Sequence, residues 1–476
     1  QRFSGDSRSK RRLVGFFGEA SLDYRRYAYI NFTGRTDLTS TLPYKNATYF
    51  YPGISTSLVW TDAFKVKKGI IDYGKIRAGF AKVGNDASPG NGEAIFGLNS
   101  AGFQGQSLAS RGSSNYDPNL TPEFTEELEL GTDMRFLGGR IMTELTWYDK
   151  KSTNLIYAIG LPQTTGYSSF YTNLGELRNT GWEAAVDIKI LAKEDFQWNV
   201  RTVFTRNVNT TEKLAPGLTR DIIGGYNYIE PGFPYGYLRG GRSARTDDGR
   251  LIINPANGAP FVDPNAQMVG DPNADYKIGI TNRFAYKAFE LSVLWDMTKG
   301  GDFYTETINS MLGRGVTMDT WDREKNAVVQ GVYGSATPVP GADGLNHYVP
   351  LLVNGQMVPN QTRMTTNDLY FSPAGTGATF ATNGAFEYSV FDGTVYRLRE
   401  LVLAYNVPPS LIKKLKLTAA TLSFSGRNLW FLAPNVPKYT HFDPDMNSLV
   451  SANAQGVETG GAPSTKRFGL NLNITF

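Results

Sequence analysis

The sequence of 476 residues contains no cysteine and only 2 histidines. The first absence excludes disulfide scaffolds, thiolate zinc sites and cysteine nucleophiles. The second leaves His347 and His441, and neither sits near an HExxH or a G-x-S-x-G pattern. No apolar run approaches the ~18 residues that a membrane helix requires, so helical membrane proteins are excluded. Charge of one sign is also missing. With 48 basic and 44 acidic residues the formal charge is +4, which implies neither nucleic-acid binding nor an acidic tail. The Gly90-Asn91-Gly92 string lacks the strand-to-helix setting of a nucleotide loop. Carboxylate pairs suited to glycoside hydrolysis are available, but an all-β chain with 44 acidic residues offers such pairs anyway. Without a catalytic constellation, the expectation is a protein with no enzymatic activity, no cofactor and no metal.

What is present is unusual. Aromatics reach 13% and there are 51 glycines, well above the ordinary share of about 7%. Length alone predicts about three soluble domains at roughly 150 residues each, but the patterning contradicts that. The dominant signal is period two in segments of about ten residues, which is how a half-buried strand reads. In the last ten residues, Phe468, Leu470, Leu472, Ile474 and Phe476 alternate with Arg467, Gly469, Asn471, Asn473 and Thr475. Leu128, Leu130, Thr132, Met134 and Phe136 alternate in the same way with Glu127, Glu129, Gly131, Asp133 and Arg135. About thirteen such segments can be counted, and helical periodicity is nearly absent. The chain is expected to be all-β.

The connections carry more information than the segments. Tyr24 to Ala28, Leu137 to Arg140, Leu191 to Gln197 and Ala285 to Glu290 are tight, with Asp62 to Gly74 and Asn406 to Leu417 slightly longer. The others are mostly long and rich in Gly, Asn, Pro and aromatics, notably 85–123, 209–276, 300–395 and 434–466. The two sets alternate strictly. Successive connections of antiparallel strands lie at opposite ends, so all the long loops fall on one side. That asymmetry predicts a transmembrane antiparallel β-barrel of the outer-membrane type. A soluble β-sandwich is the alternative fold; long strands, aromatic strand ends and extreme loop asymmetry weigh against it. Strand parity places the start of the chain at the long-loop end. Since bacterial single-chain barrels have even strand numbers, about thirteen strands reads as the C-terminal part of something larger.

Five strings then carry a specific resemblance: Lys75-Ile76-Arg77-Ala78-Gly79-Phe80 with Gly84-Asn85, Asn173-Leu174-Gly175 with Asn179-Thr180-Gly181-Trp182-Glu183, Gly270-Asp271-Pro272-Asn273-Ala274-Asp275-Tyr276, Tyr396-Arg397-Leu398-Arg399-Glu400-Leu401 with Leu403-Ala404-Tyr405-Asn406-Val407-Pro408, and Ser425-Gly426-Arg427-Asn428-Leu429. In this order, over nearly the whole chain, they resemble the C-terminal barrel portion of SusC/RagA-type TonB-dependent outer-membrane transporters of Bacteroidetes. The resemblance implies a 22-stranded barrel with an N-terminal plug, of which residues 1–476 supply about 13 strands. It implies energy from TonB through that plug, and a SusD-like surface lipoprotein seated over the loops that delivers oligosaccharides or peptides. A passive porin-like or adhesin barrel is the competing function.

Individual residues receive two readings each. Arg77, Glu129, Asp133, Glu183, Asp187, Lys277, Arg283 and Arg427 are expected to face the lumen, because Arg or Lys on the lipid face costs about 2–4 kcal/mol at the midplane. Trp60, Tyr148, Trp182, Trp198 and Trp295 are expected in interfacial girdles. The aromatics Tyr226, Tyr228, Phe233, Tyr235 and Tyr237 cluster in one loop. They are the candidates for contact with substrate or lid protein, against the alternative that the loop packs on itself. Asp443, Asp445 and Asn447 have the odd spacing of a calcium loop, but Ser448 and Ala454 occupy the places of its glycine and acidic twelfth residue, so a turn is the better reading. The basic run Arg8, Lys10, Arg11, Arg12 is either a contact for lipopolysaccharide phosphates among the outer-membrane lipids or a solvated segment.

Overall fold

A computed structural model describes residues 10–67, 69–88, 96–104, 106–371, 384–413, 417–446 and 455–476. Thirteen strands form one sheet: β1 (Leu13–Tyr24), β2 (Ala28–Thr39), β3 (Thr48–Val59), β4 (Ile71–Asn85), β5 (Glu123–Phe136), β6 (Ile141–Thr153), β7 (Glu176–Ala192), β8 (Phe196–Lys213), β9 (Ala274–Tyr286), β10 (Phe289–Gly300), β11 (Val395–Asn406), β12 (Ala419–Leu432) and β13 (Arg467–Thr475). They lie in strict sequence order, each strand beside its neighbours in the chain, and the sheet is antiparallel. The all-β expectation and the strand count hold, and short and long connections alternate from β3 onward; the β2–β3 connection, 40–47, is shorter than the β3–β4 connection, 60–70. The 300–395 connection contains short hairpins, Val339–Pro340 with Asn346–His347 and Leu352–Val353 with Gln356–Met357, but its described residues contribute no strand to the sheet.

The chain forms two compact units, one of residues 1–188, 207–221 and 230–235, the other of 189–206, 222–229 and 236–476. In the first, period-two register sorts side chains onto two faces. Phe32, Ile54, Phe80 and Leu128 sit opposite one another across β2 to β5, as do Thr132, Leu145 and Ala184 across β5 to β7. This face is apolar in its middle and then changes character near the long loops. There it carries Lys82–Glu126 (2.8 Å), Arg178–Asp149 (2.6 Å) and Lys151 bridging Glu176 (2.6 Å) and Glu212 (3.1 Å). The strands are long enough for both zones. β5 and β7 run 14 and 17 residues, where about 9–11 suffice to cross a bilayer.

Aromatics mark the edges of the apolar zone. Trp147 lies opposite Trp182 near the loop end, and Tyr24 packs edge-on against Tyr27 at the turn end. In the second unit Trp295 contacts Trp430 (6.1 Å), while Trp198–Phe284 (5.5 Å) and Phe289–Tyr405 (4.8 Å) lie near the turns. One girdle expectation needs correction. Tyr148 alternates with Trp147 and therefore occupies the polar face, where its hydroxyl donates to Asn207 (3.0 Å). Trp60, in the short helix Trp60–Ala63 at the turn end of β3, covers Gly74, which lies opposite Met134 on the apolar face and whose missing side chain leaves room for the indole.

The long loops have cores of their own. In the second unit Phe303, Ile308 and Leu312 pack with Tyr370, Phe391, Val436 and Phe442, and Leu238, Tyr304 and Val457 pack with Val269, Phe386 and Val390. The helix Glu306–Gly313 is capped by Thr305, whose hydroxyl accepts the Ile308 N–H. Gly300 and Gly301 both have positive φ (68° and 79°), which lets the chain turn sharply out of β10 into this layer.

Candidate functional site

The polar face of the first unit is a dense array of ion pairs and amides. Arg77 reaches Asp133 (3.2 Å) and Glu129 (3.5 Å) and also bonds Thr146, while Lys75 approaches Asp133 (3.5 Å). Asn179 accepts from Asn207 (3.0 Å) and Asn209 (2.8 Å). A cavity of about 510 Å³ opens on this face, lined by Arg77, Glu127, Glu129, Tyr148, Lys150 and Glu183 among others. Such a lining suits a hydrated solute. Of the remaining charges expected on this face, Arg427 pairs with Glu400 (2.9 Å) in the second unit.

Of the five strings, 270–276 leads from a loop into β9, and 396–401 lies in the loop half of β11. Asp271 accepts the Asn273 N–H on its side chain (2.9 Å) and the Asp302 N–H on its carbonyl (2.6 Å), and its own N–H donates to Asp302 (2.9 Å), which clasps two loop ends together. Arg397 is 2% exposed and forms a double hydrogen bond with Asp443, itself 5% exposed (2.9 and 2.5 Å). Arg399 joins Asp296 (2.5 Å) to Asp445 (3.0 Å). Asp443 and Asp445 therefore face arginines and fix the last loop to the wall. Asn447 lies outside the described residues. Burial pushes the Asp443 carboxyl up, but the hydrogen bonds and charge of Arg397 outweigh it and hold the group below its ordinary 3.8.

Glu458 is a second anchor. Its carboxylate has no exposed surface and accepts from the Thr305 hydroxyl (2.6 Å), the Thr307 hydroxyl (2.7 Å) and N–H (3.1 Å), and the Gly461 N–H (2.6 Å). Burial raises its pKa, but these donors together lower it by more, so the net position is below 4.5. A group with a depressed folded pKa stabilises above its unfolded value and loses that contribution as pH falls through the folded one. Glu458→Gln, which retains shape but not charge, is expected to cost about 1–3 kcal/mol locally. Faster amide exchange in the Glu306–Gly313 helix at neutral pH is the readout, and wild-type protein should approach that behaviour only in acid.

The five loop aromatics separate by environment. In the second unit Tyr226 is 38% exposed, with its ring 4.6 Å from Tyr304 and 4.7 Å from Phe386. Tyr237 is fully buried and lies 6.1 Å from Tyr228. In the first unit Phe233 accepts the Thr211 N–H on its carbonyl (2.9 Å), and the Tyr235 N–H donates to Asn209 (2.8 Å). Tyr304 and Phe386 stack face to face (5.0 Å, 4°) beside Tyr226. Sequence reading missed both. The criterion that picked Tyr226, aromatic residues in a long loop, also fits them, but their meeting with Tyr226 joins two separate loops and leaves no local trace.

An antiparallel sheet with an apolar band, aromatic margins, a charged opposite face and long loops at one end defines the class of outer-membrane β-barrels. The family described as TonB dependent receptor-like, beta-barrel, matches residues 3–429, and the chain belongs to it. TonB-dependent receptor P3 of Formosa agariphila is 25% identical over 500 residues, covering 98% of this chain and 45% of the relative. TonB-dependent receptor SusC of Bacteroides thetaiotaomicron is 27% identical over 194 residues, covering 37% of this chain and 19% of its own. Among solved structures, the RagAB peptide transporter superposes with a TM-score of 0.72 at 16% identity, covering 98% of this chain and 48% of that one. The chain spans about half the length of the curated relatives that match it end to end.

Proposed function

We propose that this chain is the barrel portion of an energised outer-membrane importer for oligosaccharides or peptides. In this reading TonB acts through a plug carried by the rest of the protein, and a SusD-like lipoprotein covers the loops. The observation that carries it is the alternation, from β3 onward, of short connections with long, self-packed loops on a two-faced sheet. A passive pore gains nothing from loops with cores of their own, whereas a receptor needs a shaped surface. The likeness to the RagAB peptide transporter supports the peptide half of the substrate class. Uptake of labelled oligosaccharides and peptides by cells carrying the full-length protein is the test. Uptake of one class that stops when TonB is removed is expected; uptake indifferent to TonB would overturn the reading.

Among the aromatics, Tyr226 is the substrate-contact residue we favour, because it presents a partly open ring on a stacked support. Tyr226→Ala should raise the half-saturating substrate concentration about five- to tenfold, the scale of one lost stacking contact. Tyr237→Ala should instead disrupt the loop, seen as new protease cleavage without substrate.

A further inference from the structure

We propose that the loop end of β12 carries a binding site for a phosphorylated glycolipid of the outer leaflet, with the lipid phosphate held by Lys438 and Lys466. The proposal rests on the reading above only in placing the barrel in the outer membrane with its long loops outward.

β12 pairs with β13 as far as Arg427 opposite Arg467. Trp430, Phe431 and Leu432 continue past that point, paired on one side alone with β11. A pocket of about 440 Å³ lies there, lined by Trp430, Leu432, Pro434, Val436, Lys438 and Lys466 among others. Its lining joins apolar side chains to two ammonium groups. Among the described residues neither lysine has a carboxylate partner; Lys438 only approaches the Tyr439 ring (5.3 Å). This distinguishes them from Arg11, near the start of the chain. There Arg11 is held by Asp86 (2.5 Å), and Arg8 lies outside the described residues.

The surroundings extend the amphiphilic pattern in both directions. Toward the membrane, Trp430 meets Trp295 and the same exposed apolar face continues through Phe424 and Leu422. On the loop side, the Tyr439 N–H donates to Asp319 (3.0 Å), which ties the lysine segment to 316–321. In that stretch Val316, Met318 and Trp321 are 69%, 59% and 72% exposed. Large exposed apolar side chains grouped in so short a stretch are what an interaction surface presents, and tryptophan near lysine is characteristic of a lipid–water boundary. An acyl chain needs an apolar wall continuous with the lipid face, and a phosphate needs unpaired cations. A phosphorylated lipid satisfies both at once. A neutral sugar has no use for the lysines, and a free phosphate has none for the tryptophans.

The test uses the full-length protein in mild detergent and native mass spectrometry with three probes: bis-phosphorylated lipid A, the same lipid without its phosphates, and inorganic phosphate. Wild-type protein should retain the phosphorylated lipid. The double variant Lys438→Glu with Lys466→Glu should bind it about tenfold more weakly or worse, as expected for two surface cations near an anionic headgroup. Trp321→Ala should weaken it without changing the preference for phosphate. Equal retention by the double variant, or equal binding of the dephosphorylated lipid, would overturn the proposal; so would competition by millimolar inorganic phosphate alone. Fractionation and heat-modifiable gel migration separate the two readings. A chain absent from outer membranes fails the transporter reading, whereas a correctly folded barrel that ignores the phosphate fails only this one.

Discussion

Leu145→Arg is expected to cost the barrel about 2–4 kcal/mol in a bilayer, whereas Glu144→Arg, one residue away, should cost far less. Leu145 is 40% exposed, and a substitution at such a position on a water-soluble protein ordinarily stays within about 0.5 kcal/mol. The difference arises entirely from the solvent. Leu145 lies opposite Thr132 and Ala184 in the middle of the apolar band, where a guanidinium would meet hydrocarbon. Glu144 lies on the other face opposite Asp133, which an arginine could join. Unfolding the complete protein from lipid vesicles with denaturant gives both values. Similar small values for the two variants would rule out a lipid-facing band and revive the soluble sandwich.

Arg397→Met is expected to destabilise the last long loop by about 3–5 kcal/mol, because it leaves the Asp443 carboxylate buried without its partner. The effect should be local. Limited proteolysis near residues 434–446 should increase, while the sheet keeps its heat-modifiable migration. Adding Asp443→Asn to Arg397→Met should restore much of the loss, since the cost lies in the orphaned charge more than in the missing pair. Wild-type protein should show the same loosening only in acid. The Asp443 carboxyl titrates below 3.8, so its stabilisation is complete above that value and disappears as pH falls through the folded pKa. If Arg397→Met left the loop as protease-resistant as before, the pair would have no anchoring role.

The wall of this protein was legible because a strand writes its two faces into every second residue. Phe468 to Phe476 and Leu128 to Phe136 announced their strands directly, and the turn-and-loop alternation then determined which end each connection occupies. The same rule, applied strictly, also assigns Tyr148: beside Trp147 in one strand, it has to point the other way. The loops were legible only as loops. Arg397 and Asp443 are 46 residues apart, and Thr305 and Glu458 are 153 apart. Neither pairing leaves a periodic trace, because a polar contact between distant segments imposes no spacing on either. For the same reason the aromatic cluster was found one member at a time. Tyr226 was named, while its ring neighbours Tyr304 and Phe386, which stack on each other, were hidden in another loop.

The sequential strand order has a consequence for how such a protein can change over generations. Each long loop joins two strands that pair side by side, so lengthening it moves no other part of the sheet. The stretch from Gly300 to Val395 is roughly twelve times that from Thr39 to Thr48, yet closing it costs only about 2 kcal/mol more in chain entropy. Once an insertion can bury its own side chains, as the Phe303 and Tyr304 clusters do, the scaffold barely registers it. Recognition can therefore diverge by rewriting whole loops while the staves of the barrel stay as they were.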